Sequence, residues 1–292
     1  MSDSPARIAV LLTVYNGIEF IEEQLQSILR QQSVNLSIFI SVDLSTDNSY
    51  QWCCDFSAKH PQVTTLAYGQ NFGGAAANFY HLIKEVDFSA YDYVALADHD
   101  DIWLDDKLST ACTRLANGTY SAYSGNVMAF WDDGRQHLIN KALPQRKYDY
   151  LFEAAGPGCT YVLRTEPMLL FKQLIISKWQ QTEQVGLHDW FIYAFFRSHC
   201  LHWFIDPEYK LLYRQHSENQ VGINKGWQAN LKRLDLLHKG WIKQQVINIA
   251  DLIADHSLNV NSRLTILKNI SQLRRRLRDR CILFFIALTG LY

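Results

Sequence analysis

Four apolar runs fall in the first hundred residues, each broken by polar or small residues and followed by a helical repeat, and this restricts the chain to few folds. "RIAVLLTVY" (7–15) is continuously apolar, as a parallel strand covered on both faces must be. Asn16 and Gly17 break it, and Ile21, Leu25, Ile28 and Leu29 recur at helical spacing. "LSIFISVDL" (36–44) predicts a second strand, followed by capping residues in "STDNS" and a helix carrying Trp52 and Phe56. "VTTLAY" (63–68) and "YDYVALAD" (91–98) predict the third and fourth strands, separated by "GQNFGGAAANF" and another helix. Strands alternating with helices imply βαβ units, right-handed crossovers and a parallel sheet.

Ligands of such open sheets bind beyond the carboxyl ends of the strands. The residues expected there are Thr13, Tyr15 and Asn16, then Asp43, then Asn71 and Gly73, then Asp98, Asp100 and Asp101. All four strands end in polar or small residues, an agreement stronger than any one motif. In "ADHDDIWLDDKL", Asp105 and Asp106 suit the start of the next helix, where acids complement the dipole. Asp98 and Asp100 sit at the strand end instead. Two carboxylates one residue apart on a turn can offer oxygen ligands to a hard divalent cation such as Mg²⁺.

The second half reads differently. "YSAYSGNVMAFWDDGRQHLI" predicts a hairpin turning at Asp132, Asp133 and Gly134. "GPGCTYVLR" (156–164) predicts a short strand, with Thr165 and Pro167 opening a helix. "GLHDWFIYAFFRSHC" predicts an apolar helix with His188 and Asp189 in its first turn. "LHWFI" and "YKLLYRQH" read as a closing pair of strands. From about residue 225 the chain is helical and basic, with Arg274, Arg275, Arg276, Arg278 and Arg280 before the apolar "CILFFIALTGLY".

Composition narrows the classes. A net charge of -1 gives no global drive towards nucleic acid or an anionic membrane. The six cysteines form no CxxC pair, and the amino terminus lacks a secretory pattern, so reduced thiols and a cytoplasmic location are expected. No Gly-Lys-Ser/Thr follows the glycines of "NFGGAAANF", and "TVYNGIEF" has a single glycine. Both absences count against ATPases and NAD-dependent dehydrogenases. Asp43 is either a helix cap or an acceptor for a ring N–H of a pyrimidine. Asp189 is either a cap or a general base beside Trp190. His216, which follows a cleft-directed strand with Arg214, is either structural or a metal ligand.

The series "LLTVYNGIEFIEEQLQSILRQQ", "SVDLSTDNS", "NFGGAAANF", "LADHDDIWLDDKL", "GCTYVLR", "HDW" and "YRQHSENQVG" resembles family 2 glycosyltransferases, nearest the rhamnosyltransferase-like branch of bacterial surface polysaccharide synthesis. Each motif is weak alone; seven in order, over residues 7 to about 222, are specific. The resemblance implies an α/β fold of the GT-A type, a Rossmann-like nucleotide-diphospho-sugar transferase fold, with a helical C-terminal extension. It implies inverting transfer from a nucleotide-sugar, dTDP-rhamnose or a UDP-hexose, to a glycan acceptor that is lipid-linked. It assigns Thr13, Tyr15, Asn16, Asp43, Asn71, Gly73 and Asp98 to the nucleotide. Asp98, Asp100 and His216 fall to Mn²⁺ or Mg²⁺, and Asp189 to the general base. Asp101, Trp103, His188, Trp190 and Arg214 fall in the acceptor or diphosphate region. Val42 and Leu44 replace an acid and a glycine usual beside Asp43, and His99 stands where glutamine is usual. Leu44 therefore requires a turn without positive φ.

The expected organisation is a transferase domain over 1–224, with a nucleotide-sugar half (1–110) and an acceptor half (111–224), then a helical extension over 225–292. The terminal apolar run is shorter than the ~20 residues a membrane span needs. Beside its arginines, 274–292 could lie on an anionic leaflet, placing the protein peripherally on the inner face of the plasma membrane, or pack on its own domain or in a homo-oligomer. The competing functions are a nucleotide-sugar hydrolase or nucleotidyltransferase, and a catalytically silent carbohydrate-binding subunit.

Overall fold

The structure, a computed structural model, describes residues 4–216, 240–290 and 292. The boundary expected at 224/225, and Asn219 of the motif after His216, lie outside the described residues. Strands β1 (Ala6–Val14), β2 (Val34–Val42), β3 (Val63–Thr65) and β4 (Tyr93–Asp98) are parallel and ordered β3-β2-β1-β4. The helices between them are α1 (Ile21–Leu29), α2 (Ser49–Ser57) and α3 (Ala75–Glu85). The third strand is half the length its apolar run suggested. Leu66 leaves the ladder after one further backbone bond, to Ile40.

Continuous apolar runs are needed because both faces of this sheet are covered. Along β1, Ala9 and Leu11 enter one core and Ile8, Val10, Leu12 and Val14 enter the other. Along β4, Val94 and Leu96 alternate with Tyr93, Ala95 and Ala97 in the same way. This two-residue period places Thr13 beside Asp98 in the β1–β4 register, and β2 ends level with β1, at Val42 opposite Val14. The strand-end residues are thereby brought to one edge.

Beyond β4 come the two-residue β5 (Ile102–Trp103) and α4 (Lys107–Ala116). Asp106 stands at the N-cap of α4 without a side-chain capping bond and instead pairs with Lys210 at 2.7 Å, while Asp105 faces Arg30 at 3.7 Å. The expected hairpin forms from β6 (Ala122–Phe130) and β7 (Gln136–Ile139). Then follow β8 (Val162–Arg164), α5 (Thr165–Ser177), α6 (Trp179–Thr182), α7 (His188–Ser198) and β9 (Trp203–Arg214). The sheet continues from β4 through antiparallel β8 to β6, β9 and β5.

One correction concerns β9, which is a single strand where two were expected. Pairing with β6 jumps from Asp206 opposite Gly125 to Tyr209 opposite Asn126, so Pro207 and Glu208 form a bulge inside the strand.

The C-terminal part, α8 (Trp241–Leu252), α9 (Arg263–Leu273) and α10 (Leu277–Thr289), is no free tail. Val246, Ile249, Ile266, Leu273, Leu283 and Ala287 join the core that holds α3, α5 and α7. Arg275, one of the five arginines offered to an anionic leaflet or to packing on the domain itself, is buried against Glu153 (3.3 Å) and Asp149 (3.7 Å).

Candidate functional site

The ends of β1, β2 and β4, the start of α7 and the loop after β7 surround one cleft of about 1530 Å³. Small-ligand pockets run to roughly 300–1,000 Å³, so this cleft has room for two substrates at once. Thr13, Tyr15, Asn16, Asp43, Asn71, Gly73, Asp98, Asp100, His188, Asp189, Trp190 and His216 all line it.

The turn after β1 is held from β2. Asn16, at φ 45°, accepts from Thr46 N (2.8 Å) and donates its own N–H to Ser45 Oγ (3.0 Å). Gly17 N–H donates to Ser49 Oγ and Ile18 N–H to Asp47 Oδ2. The "STDNS" cluster therefore joins two loops as well as preceding α2. Leu44 has no positive φ, as its side chain requires. Asp43 is buried and accepts from the N–H groups of Leu44 (2.7 Å), Phe72 (2.8 Å) and Gly73 (3.1 Å). Tyr15 is half exposed at the mouth.

At the end of β4, burial raises the Asp98 carboxyl to about 7, helped by the charges of Asp100 and Asp189 and opposed by Thr13 and Cys159. Burial also works to raise Asp100. The hydrogen bond from His216, whose Nε2 lies 2.9 Å from Oδ2, with the charges of His99 and His216, leaves it below the usual carboxylate range. Asp98, Asp100 and His216 are donors of the type Mg²⁺ or Mn²⁺ takes, although among the described residues only Asp98, Asp101 and Cys159 have ligand atoms all within 4.8 Å of one another. The charges of Asp100 and Asp189 add to the burial that raises Asp98, and a cation bound there would offset that part. His99 packs on Gly17, where a Cβ would stand 2.5 Å from the ring, so this turn requires glycine.

Asp189 opens α7. Burial raises its carboxyl to about 6, while the Trp190 N–H (2.8 Å) and the Lys141 charge hold it down. Its neighbour His188 is no cap. The ring is buried over Phe79 with centroids 4.1 Å apart, burial lowers it to about 3, and it is therefore neutral. A Cβ on Gly158 would stand 2.4 Å from its Nε2. Trp190 donates its indole N–H to Tyr150 O at 2.9 Å, which fixes the start of the helix.

Three expected residues lie elsewhere. Trp103 is buried in the core under Lys107, whose Nζ lies 3.5 Å from the ring centroid, because β5 turns it away from the cleft. Asp101 also points inward. Its carboxylate oxygen, that of Asp98 and Cys159 Sγ lie within 4.8 Å of one another, and burial with the Asp100 and Asp98 charges raises it far above the usual range. Arg214 does not line the cleft. It donates to Asp100 O (3.1 Å) and pairs with Glu23, with Phe20 and Phe130 beside its guanidinium, and so ties β9 to α1 and the acidic turn.

Other cleft residues were given no role by the sequence: Tyr213, Lys141, and the C-terminal Arg274, Arg276 and Arg278. Lys141 is placed by Asn126, whose Oδ1 accepts from Lys141 N (2.6 Å) and Ala142 N (3.1 Å) while its amide donates to Pro207 O. A lone asparagine inside an apolar strand was the only available signal.

Residues 9–174 match the family model described as Glycosyl transferase family 2. A dTDP-rhamnosyl transferase of Shigella flexneri, RfbG, is 46% identical over 254 residues, 87% of this chain and 88% of its own. A glucosyltransferase of Escherichia coli, WfgD, named for transfer from UDP-Glc to α-D-GlcNAc-diphosphoundecaprenol, is 23% identical over 56% of this chain and 61% of its own. Among solved structures, Staphylococcus aureus TarS with UDP-GlcNAc aligns with a TM-score of 0.56 at 13% identity, covering 98% of this chain and 80% of that one. A mannosyltransferase of Pyrobaculum calidifontis with GDP-Man and Mn²⁺ aligns at 0.54 and 16% identity, covering 100% and 82%. The structural likenesses agree with a GT-A fold.

Proposed function

From the premise that this chain belongs to glycosyl transferase family 2, we propose that it is an inverting rhamnosyltransferase. It moves rhamnose from dTDP-rhamnose to a hydroxyl of a lipid-linked glycan during surface polysaccharide assembly. The Shigella flexneri relative supports this donor over a UDP-hexose. The observation that carries the mechanism is one cleft that holds Asp98, Asp100 and His216 together with Asp189.

Tyr15, Asn16, Asp43 and Gly73 form the base end of the donor site. The Asp43 carboxylate has about four acceptor positions and three are filled by backbone N–H groups, which leaves one for a pyrimidine N3–H. Asp98, Asp100 and His216 would hold Mn²⁺ or Mg²⁺. A divalent cation bound there supplies charge that offsets the negative charge developing on the departing nucleoside diphosphate.

Asp189 takes the proton of the acceptor hydroxyl. That oxygen bonds to the anomeric carbon as the bond to the diphosphate oxygen breaks on the opposite face, through an oxocarbenium-like transition state. Lys141 favours the ionised base, and the neutral His188 ring, wedged on Gly158, closes the wall beside it. No described helix is long and apolar enough to cross a membrane. Attachment through the exposed side of α10 would bring the cleft to a membrane-borne acceptor.

Calorimetric titration with dTDP and UDP, with and without Mn²⁺, tests the donor site. Tighter dTDP binding in the presence of metal is expected. Absence of metal-dependent binding for both nucleotides would overturn the reading.

A further inference from the structure

The structure assigns to Lys141 and Arg276 a second anion subsite in the cleft, one that takes a phosphate or diphosphate carried by the acceptor rather than by the donor. This deepens the transferase reading above and rests on it. Lys141 lies in the loop after β7, and Arg276 immediately precedes α10. The Arg276 guanidinium donates to the carbonyl of Asn140, the residue before Lys141, and its charge bears on that of Lys141. Both line the cleft, and among the described residues no carboxylate comes within 4.0 Å of either.

A carbonyl partner satisfies a hydrogen bond but leaves the charge. Two like charges side by side in a partly desolvated site disfavour each other unless an anion joins them. The carboxylates that bear on Lys141 are Glu153 and Asp189. Glu153 is already held by Arg275 through its backbone N–H (2.5 Å) and its guanidinium (3.3 Å), and Asp189 is the acceptor-side base. The first turn of α10 also faces the cleft, through Arg278 and Asp279, with no side-chain cap on its leading N–H groups.

The position fixes which substrate the anion belongs to. Asp98 bears the charges of Asp100 and Asp189 and Asp100 that of His216, whereas Lys141 acts on Asp189, the acceptor-side base, and on neither Asp98 nor Asp100. The donor end repels free phosphate until a cation is bound. Lys141 and Arg276 need none.

The test is calorimetric titration with inorganic pyrophosphate in EDTA. The wild-type chain and Asp98→Asn should bind it alike. Lys141→Gln and Arg276→Gln should each weaken it at least tenfold, with Arg276→Lys retaining binding and thermal melts confirming that every variant is folded. Mn²⁺-dependent dTDP binding should be unchanged in Arg276→Gln. Competition by soluble geranyl diphosphate would identify an acceptor diphosphate, and competition by phosphatidylglycerol vesicles a lipid headgroup; both satisfy the same chemistry. No pyrophosphate binding in EDTA, or full binding by both Gln variants, overturns the subsite. Failure of dTDP and UDP binding in the wild type would instead remove the donor reading, whatever pyrophosphate does.

Discussion

His216 Nε2 lies 2.9 Å from Asp100 Oδ2 and so joins the end of β9 to the acidic turn after β4. Partners that orient a metal-binding carboxylate typically govern affinity by about 10–100-fold. His216→Ala should weaken Mn²⁺-dependent dTDP binding by that range and leave metal-free binding unaltered. The measurement is dTDP affinity across a Mn²⁺ series. An unchanged metal dependence would remove His216 from the site.

The Asp189 carboxyl, raised to about 6, must be ionised to take a proton. The rate of transfer at saturating substrate should therefore rise with pH through about 6 and level off above 7. Lys141→Gln removes a charge that lowers this value, so the acid limb should move to higher pH. A pH–kcat profile of both proteins decides it. A limb unmoved by Lys141→Gln would separate Lys141 from the base.

The same shift is a stability statement. Asp189 binds its proton more tightly folded than unfolded, so its favourable contribution is complete below 3.8 and lost as pH rises through about 6. At pH 8 the partly buried carboxylate costs at most about 2–3 kcal/mol, since each unit is worth about 1.4. Asp189→Asn should thus raise the ligand-free Tm at pH 8 and change it little at pH 4, while transfer falls by about 10²–10⁴-fold. A variant less stable at pH 8 would contradict the burial argument.

Gly158 and His188 form a tight pair, with a Cβ at 158 only 2.4 Å from the imidazole Nε2. Gly158→Ala should destabilise by about 1–3 kcal/mol, the usual cost of overpacking, and should displace the start of α7 with Asp189. His188→Ala removes the obstructing ring, so the double variant should be more stable than the sum of the singles predicts. Urea unfolding of the four proteins measures the coupling. Simple additivity would place the strain elsewhere.

What the sequence made legible follows the physics of each signal. Strands β1 to β4 were readable because a parallel strand buried on both faces must be apolar throughout, and their ends follow from register: Thr13 meets Asp98. Asp189 was readable as an acid opening an apolar helix. Asp101 was not, because a carboxylate turned inward towards Cys159 has the same letter as one turned outward. Asp206-Pro207-Glu208 separated two expected strands, yet Asp206 accepts from Tyr123 Oη (3.1 Å) and Glu208 N (3.0 Å) and β9 continues across its bulge. Lys141 and Arg276 depend on contacts from Asn126 and to Asn140, which local patterns do not carry.

The outer side of α10 supplies the last prediction. Leu283 and Ala287 anchor the helix in the core, while Leu277, Ile282, Phe285 and Leu288 remain about half exposed or more, joined by Leu264 of α9. Burying such a row from water is worth about 25 cal/mol per Å² of apolar area, and basic residues beside it add attraction to anionic lipid. Arg278, largely exposed at the helix start, supplies one such charge. Wild-type protein should co-sediment with phosphatidylglycerol vesicles more than with neutral phosphatidylcholine vesicles. Phe285→Ser with Leu288→Ser should abolish this while leaving dTDP binding intact, because neither residue lines the cleft. Loss of a concentration-dependent dimer in the double variant, with no vesicle binding by the wild type, would assign the face to a second copy of the chain instead.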